Sequence, residues 1–484
     1  MQGQKLVEVL QIDQLRQLFV DDYVVEKMEG LTRTLHAVQK HPGNPVLRPD
    51  QLREGDSIEY TTVIWDKAEN RFKAWYAVGD NQDARSSPGT KSRFTIRSCY
   101  ATSPDGIHWD KPDLGLIAYK GSLANNIFDD SGRWLQSIVN VSPQQEPDDS
   151  RRYKMIAWDK GGYQVAFSAD GIHWTDHPEN PVWQIPGDVA PTIYDELSGQ
   201  YISFAKVHDE YAGHRRRLVG RGTSQDFVHW TDPQLVLSPD EEDEGWTLGR
   251  PGYHTEFYGM CGFPYAGMYL GLLWVFRVTG KVPGGTNYGG IHAQLVHSRD
   301  SIHWERAFSR MPLIPLGPQE SFDGAYIHAA SRPVVVGDEL YIYYDGHDGD
   351  HGSYWYHEPW GSDEPRRGGA LGLGRLRLDG FVSVDAGPQP GWLTTRPLLV
   401  AGPTLLVNAQ ARQGALRVEV LNLDGSPQAG LSAAECVVFS GDSVKHEVQW
   451  HGGSSLAALH NTPVRLRFHL QNVQLYSFQF VSGQ

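Results

Sequence analysis

Cysteine is scarce in this chain. There are three in 484 residues, Cys99, Cys261 and Cys436, odd in number and far apart. Such a set gives no disulfide framework and no metal-ligand spacing; the three read as buried thiols, which suits a reducing compartment. An excess of basic charge is also missing. Lys and Arg total 43 against 58 Asp and Glu, for a net charge of -15, and the densest basic cluster, Arg215, Arg216 and Arg217, falls in a turn-like stretch. Without a basic stripe, nucleic acid is not an expected partner. No apolar run approaches the length of a membrane span, so no membrane partner is expected either. The opening residues MQGQKLVEVLQIDQ lack a basic segment followed by an apolar one. This points to a cytoplasmic location, or to secretion if a signal peptide has been removed. The sequence sets no oligomeric state.

Aromatic residues are plentiful, with 15 Trp and 22 Tyr. Flat rings pack well in β-structure, and the same rings match the apolar face of a pyranose. One pattern, S-x-D-x-[I/V]-H-W, occurs four times, at 103–109, 168–174, 224–230 and 298–304. The motif aspartates, Asp105, Asp170, Asp226 and Asp300, stand 65, 56 and 74 residues apart. A period of that size marks a repeat architecture, and each interval can hold one four-stranded blade. Strand-like runs precede the motifs, at 71–76, 153–158, 201–205 and 269–274. A fifth unit has runs at 340–344 and 370–378 and closes on a degraded copy, Asp379-Gly380-Phe381. Within the motif, Ser and Asp are placed to hydrogen-bond a tight turn, Gly or a small residue permits the bend, and Trp fills the space between blades. Four near-identical copies cannot share one active site, so His108, His173, His229 and His303 are structural.

Beyond the Pro- and Gly-rich stretch 386–392 the pattern changes to clean alternation. Leu416, Val418 and Val420 face opposite Arg417 and Glu419, and Val464, Leu466 and Phe468 face opposite Arg465 and Arg467. Short strands with turns such as Asp424-Gly425 read as a sandwich. The expected fold is therefore all-β, a five-bladed β-propeller over 1–385 followed by a C-terminal β-sandwich over 393–484.

The motifs, together with the stretches 18–24, 256–260, 321–324 and 464–468, resemble a bacterial group related to the five-bladed propeller glycosidases. That superfamily includes the fructofuranosidases and the arabinanase/xylosidase enzymes. The fructofuranosidase signatures, an Asn-Asp-Pro, an Arg-Asp-Pro and a Glu-Cys pair, are absent, so fructoside specificity is not carried over. The resemblance implies a glycoside hydrolase with three carboxylates from different blades around a central funnel: an acid, a base or nucleophile, and a third that orients the sugar.

Acids just ahead of each blade's second strand are the candidates. In the first blade, Glu54, Asp56 and Glu59 precede or enter the run 60–65, and Glu59 is the first choice for catalysis. Asp188 is the expected central, orienting carboxylate. Glu256, in an apolar and aromatic setting, is expected to have a raised pKa and to act as the general acid. Asp56, Asn126, His254, Asp323, His328 and Arg277 are the candidate substrate-binding residues. Asp21 and Asp22 lie on a segment expected to close the last blade, with a turn role rather than a catalytic one. The stretch 345–351 is rich in metal-type ligands, but it reads better as a sugar-stacking loop with Tyr354, Trp355 and Tyr356. No metal ligand is assigned, a structural calcium remains open, and no cofactor is required. Loops at 80–92, 277–290 and 346–368 are expected to rim the pocket. A phosphorylase on the same propeller would use Arg250, Arg277, Arg366 and Arg367 for phosphate. A non-catalytic glycan-binding propeller would need no carboxylate pair.

Overall fold

A computed structural model describes residues 8–51, 54, 55, 57–80, 95–159, 161–211, 213–282, 286–352 and 368–482. Nearly all regular structure in it is strand. The middle of the chain forms successive antiparallel meanders. The first sheet runs Ser57–Asp66, Arg71–Asp80, Thr95–Ser103, Ile127–Asp129. The second runs Trp134–Asn140, Tyr153–Asp159, Gly162–Ser168, Thr175–Asp176. The third runs Thr192–Asp195, Gln200–Tyr211, His214–Ser224, Gln234–Leu237. In the fourth, His254–Tyr265, Met268–Lys281 and Asn287–Ser298 are followed by two short strands on the same outer edge. The fifth contains Tyr326–Ala329, Glu339–His347 and Gly369–Arg377, and it touches the fourth through one parallel pair, Ile291 with Tyr326.

Burial shows how these sheets are arranged. A separate apolar core fills each gap between consecutive sheets. Trp75, Tyr100, Leu135 and Tyr153 join the first to the second, and Ile156, Tyr163, Tyr201 and Phe227 join the second to the third. Phe204, Val219, Phe257 and Met260 join the third to the fourth, and Leu272, Trp274, Ile327 and Leu340 join the fourth to the fifth. A further core, with Tyr341, Tyr343 and Leu371 against Ile58, Phe72 and Tyr76, joins the fifth back to the first. The five sheets thus form a closed cycle. Their first strands lie innermost, and small polar side chains satisfy the backbone N–H groups there. Thr62 Oγ1 accepts from Ile138 N (3.1 Å), Ser137 Oγ from Thr192 N (3.0 Å) and Ser331 Oγ from Val63 N (3.3 Å), so no buried strand edge is left unpaired at these points.

The repeated motif follows the third strand of each of the first four sheets and has one geometry. The Asp Oδ1 accepts from the amides two and three residues on, and Oδ2 holds the His Nδ1, for instance Asp170 with Ile172, His173 N and His173 Nδ1 at 2.8, 2.9 and 2.7 Å. All four imidazoles are largely exposed. The residue after the Asp takes a positive φ in every copy: Gly106 (75°), Gly171 (81°), Phe227 (68°) and Ser301 (64°). Its turn docks on the preceding sheet. Tyr343 donates to Gly106 O, Trp75 Nε1 to Gly171 O, and Trp304 meets Phe204 edge-on at 5.4 Å. The degraded copy keeps the docking but not the turn geometry: Asp379 itself takes φ 60° and accepts from Tyr265 Oη and Ser477 Oγ (both 2.7 Å), and Phe381 lies edge-on to Tyr265 of the fourth sheet. Each motif therefore staples its sheet to the one before.

The chain termini depart from the expected division. Gln17–Leu18 pairs with the last strand, Val473–Val481, and Val25–Glu29 pairs with Gly391–Thr395. Thr32–Leu35 pairs with Val382–Ala386. Leu10, Ile12, Phe19 and Val24 share a core with Leu405, Val418, Leu466 and Phe480 between two sheets built mainly from the C-terminal segment. The segment around 18–24 therefore belongs with the terminal sheets and does not close the cycle. That place falls to Gln39–Lys40, which pairs with Gly369–Arg377. Asp21 has a structural role, accepting both Arg299 Nε and Nη2 at 2.8 Å.

Candidate active site

The inner strands converge on a cavity of about 210 Å³ lined by Glu59, Tyr60, Trp134, Trp158, Asp188, Tyr258, Tyr326, His328, His351 and Gly352. The first, second, fourth and fifth sheets contribute strand residues, and Asp188 comes from the segment just before the third sheet. Glu59 reaches the cavity through a local break in pairing: the register between the first two strands slips between Glu59 and Thr62, and Tyr60 takes φ 51°. Bulges of this kind re-aim side chains, and a non-Gly residue in the left-handed region costs free energy that surrounding structure must offset. Tyr326 and His328 stand two apart on one strand, so the period of two places both on the same face.

The two carboxylates that line the cavity are in opposite electrostatic situations. Burial pushes Glu59 up to about 7, and the nearby Asp345 carboxyl adds to the rise while a bond from Ser57 Oγ (3.0 Å) opposes it. Asp345 itself is buried and likewise pushed up to about 7. Partial burial alone would raise Asp188. The Lys206 ammonium on its Oδ1 and the charge of Arg217 outweigh that and hold it below the usual carboxylate range. Half of the Asp188 side chain remains open. At neutral pH the cavity thus presents a carboxyl that keeps much of its proton beside a carboxylate that has lost it.

Glu256 differs from expectation. It is buried and absent from the cavity lining, and it accepts from Arg217 Nη1 (2.5 Å), Asn287 Nδ2 (2.8 Å) and His254 Nε2 (3.3 Å). Burial would raise its pKa, but the His254 and Arg217 partners lower it below normal, so its surroundings do not suit a general acid. It is linked to the cavity through Arg217, whose guanidinium lies 5.4 Å from the Tyr258 ring centre, and through Asn287, whose carbonyl oxygen bonds the lining residue His351. Arg215, Arg216 and Arg217 lie on the strand His214–Ser224 and not in a turn.

The other nominated residues lie elsewhere. Asn126 is buried and donates to Tyr76 Oη and Tyr100 O, both at 2.8 Å, a structural role. Asp323 holds Lys40 Nζ (2.5 Å) and Tyr344 Oη (2.9 Å), fixing the closing strand. His254 stacks on His214 at 4.4 Å and serves Glu256. Arg277 is exposed over Trp246, and Arg250 lies against Tyr253; neither lines the cavity. Glu54 is buried, bound to Lys111 and Tyr76. Asp56, Arg366, Arg367, Tyr354, Trp355, Tyr356 and most of the expected rim loops fall outside the described residues. Asp345 and His347 belong to a strand and not to a loop. Among the described residues, no group of three or more His, Cys, Asp or Glu side chains is arranged to hold a metal ion, and no helix is long and apolar enough to cross a membrane.

His328 is the nominated binding residue that does reach the cavity. Its ring stacks on Trp274 at 4.4 Å and 14° and on Tyr258 at 5.2 Å. Burial, with His347 and His351 adding to it, keeps the ring neutral. Neither ring nitrogen has a hydrogen-bond partner. A buried polar group without a partner is costly, and this one borders the cavity. Sequence reasoning missed Tyr258, Tyr326, Trp134, Trp158, Lys206 and Arg217, and it singled out Asp345 and His351 only as part of a sugar-stacking loop. Tyr258 and Tyr326 carried a signal, each two residues from a nominated one. Lys206 and Arg217 lie on second and third strands, where no local pattern marks them.

No protein-family model matches the sequence, and no curated protein matches it. Solved structures share part of its shape. A glycosyl hydrolase from Bacteroides ovatus is 16% identical, with 71% of this chain and 94% of that chain covered at a TM-score of 0.44. A putative glycosidase from Bacteroides thetaiotaomicron is 17% identical over 69% and 96% at 0.42. A structure titled for mannoside phosphorylases and glycoside hydrolases of family GH130 is 15% identical over 71% and 94% at 0.42. At these values the activity has to be read from this chain's own residues.

Proposed function

We propose that this protein is a glycoside hydrolase, its cycle of five sheets a five-bladed β-propeller and its terminal sheets a β-sandwich. One observation supports this above the others: Glu59 and Asp188 line a single aromatic-walled cavity with their pKa values pushed in opposite directions. Glycosidic cleavage needs that pairing. Glu59 donates its proton to the leaving oxygen as the C–O bond breaks. Asp188 attacks the anomeric carbon or takes a proton from the water that does. Trp134 and Trp158 offer faces for the sugar ring, His328 bonds a hydroxyl, and Glu256 positions Arg217. No resident cofactor enters this chemistry.

A screen of aryl glycosides and oligosaccharides tests the reading, with wild type compared with Glu59→Gln and Asp188→Asn. Each variant is expected to lose about 10²–10⁴-fold in kcat. Turnover that survives both substitutions would overturn the assignment, and turnover that requires inorganic phosphate would replace hydrolysis by phosphorolysis.

A further inference from the structure

Buried polar atoms without a hydrogen-bond partner gather around the cavity. Among its lining residues, Trp158 leaves Nε1 unpaired and His328 leaves both ring nitrogens unpaired. Just behind the lining, Trp274 Nε1 and His347 Nε2 are unpaired too; Trp274 stacks on His328, and His347 stacks on Tyr326 at 3.9 Å. Each such atom costs free energy until a partner arrives. The protein supplies none for Trp158 or His328, so a partner for either has to come from the cavity they line.

The two residues make different demands. An indole N–H only donates, so Trp158 asks for an oxygen that accepts. Burial keeps His328 neutral, and a neutral imidazole has one N–H and one bare nitrogen. A sugar hydroxyl, which both donates and accepts, satisfies either residue; a methylene satisfies neither. The two also stand apart. Trp158 lies on Tyr153–Asp159 of the second sheet, cross-strand from Trp134, and His328 lies on Tyr326–Ala329 of the fifth. The first sheet separates them: its Tyr60 ring sits 5.7 Å from Trp134 on one side and 6.0 Å from His328 on the other. We infer that Trp158 and His328 determine specificity by bonding two different hydroxyls of one sugar unit, so that the cavity selects a unit oxygenated at both places over its deoxy counterparts. A deoxy sugar would fill the cavity and leave the matching nitrogen buried and unpaired, which is the condition under which a polar site discriminates most strongly. The inference rests on the glycan reading above and gives Trp158 a donor role beyond the face it offers.

Calorimetric titration tests it. The methyl pyranosides of glucose, galactose, mannose and xylose are titrated first, and then the monodeoxy derivatives of the tightest binder, into wild type, Trp158→Phe and His328→Phe. Phe keeps an aromatic ring at each place and removes the nitrogens. In wild type, at least two of the deoxy derivatives are expected to bind about tenfold or more weakly than the parent. One of those penalties is expected to vanish in Trp158→Phe and a different one in His328→Phe. If a Phe variant does not fold, Leu takes its place, and if that fails the wild-type series decides alone. Fewer than two penalties, a full set of penalties surviving in either folded variant, or the same penalty erased by both would overturn the inference and leave the glycan reading standing. Absence of saturable binding by every sugar would overturn both.

Discussion

Thr61 holds Asp345 by two bonds, from its amide to Oδ2 at 3.0 Å and from its hydroxyl to Oδ1 at 2.6 Å. The bulge that aims Glu59 into the cavity is thereby tied to the fifth sheet, and the buried carboxyl it grips helps to keep the Glu59 proton in place. Replacing Asp345 by Asn removes a negative charge near Glu59 at nearly constant shape. The Glu59 pKa should then fall, and the basic limb of the pH profile of kcat/KM should move to lower pH by roughly half to one unit. A limb that stays in place would separate Asp345 from the acid.

The same proton leaves a mark on stability. Glu59 titrates near 7 when folded, above its ordinary value of 4.5. Between those values the folded chain binds more protons than the unfolded one, so this group's contribution is present at low pH and is lost as pH rises through about 7. Glu59→Gln cannot ionise. Its melting temperature should exceed that of wild type by about 1–2 °C at pH 8 and match it at pH 4, measured by thermal unfolding at both.

Asp66 works in the opposite direction. Its buried carboxylate accepts from Tyr153 and Arg152 and pairs with Lys73 at 3.0 Å, and these partners outweigh burial to bring it down to about 2. A depressed carboxylate stabilises above its unfolded value and loses that contribution as pH falls from about 4 through about 2. Asp66→Asn should cost up to about 2 kcal/mol at pH 7 and much less at pH 2. Urea midpoints at the two pH values measure the difference.

In the repeated motif the Asp and the His should separate cleanly. Asp170 holds two backbone amides, whereas His173 projects an imidazole that is 68% exposed. Asp170→Ala is expected to cost about 1–2 kcal/mol and His173→Ala under about 0.5 kcal/mol. Gly171→Ala should cost more than the histidine change, since the position has φ 81° and an added Cβ would lie 2.7 Å from Trp75 Cζ2. Chemical denaturation of the three variants gives the ranking.

The repeats made the succession of antiparallel meanders legible, because S-x-D-x-[I/V]-H-W depends on neighbours in sequence and its turn forms wherever the pattern occurs. The terminal strands were not legible. The pattern at 18–24 reads as one strand, whereas only Gln17–Leu18 is one, paired with Val473–Val481, and 19–24 bend toward Val25–Glu29; the partner of a strand is set by packing across hundreds of residues. Glu59 and Asp188 could be found as acids entering inner strands. The wrong emphasis on Glu256 has a physical origin: its apolar sequence neighbours suggested a raised pKa, while its spatial neighbours are Arg217 and His254. Local sequence reports hydrophobicity well and reports nothing of a cation supplied by another sheet.

The pairing of Gln39–Lys40 with Gly369–Arg377 fixes an order of events during synthesis. Lys40 meets Gly374, roughly 330 positions further along, and the segments before it await strands made later still. Until the fifth sheet has left the ribosome the ring is an open arc with an apolar edge and a waiting tail. Closure over that contour length is entropically slow. A nascent chain of this protein is therefore expected to need shielding for most of its translation, whereas removal of its first forty residues would leave the finished ring without its clasp.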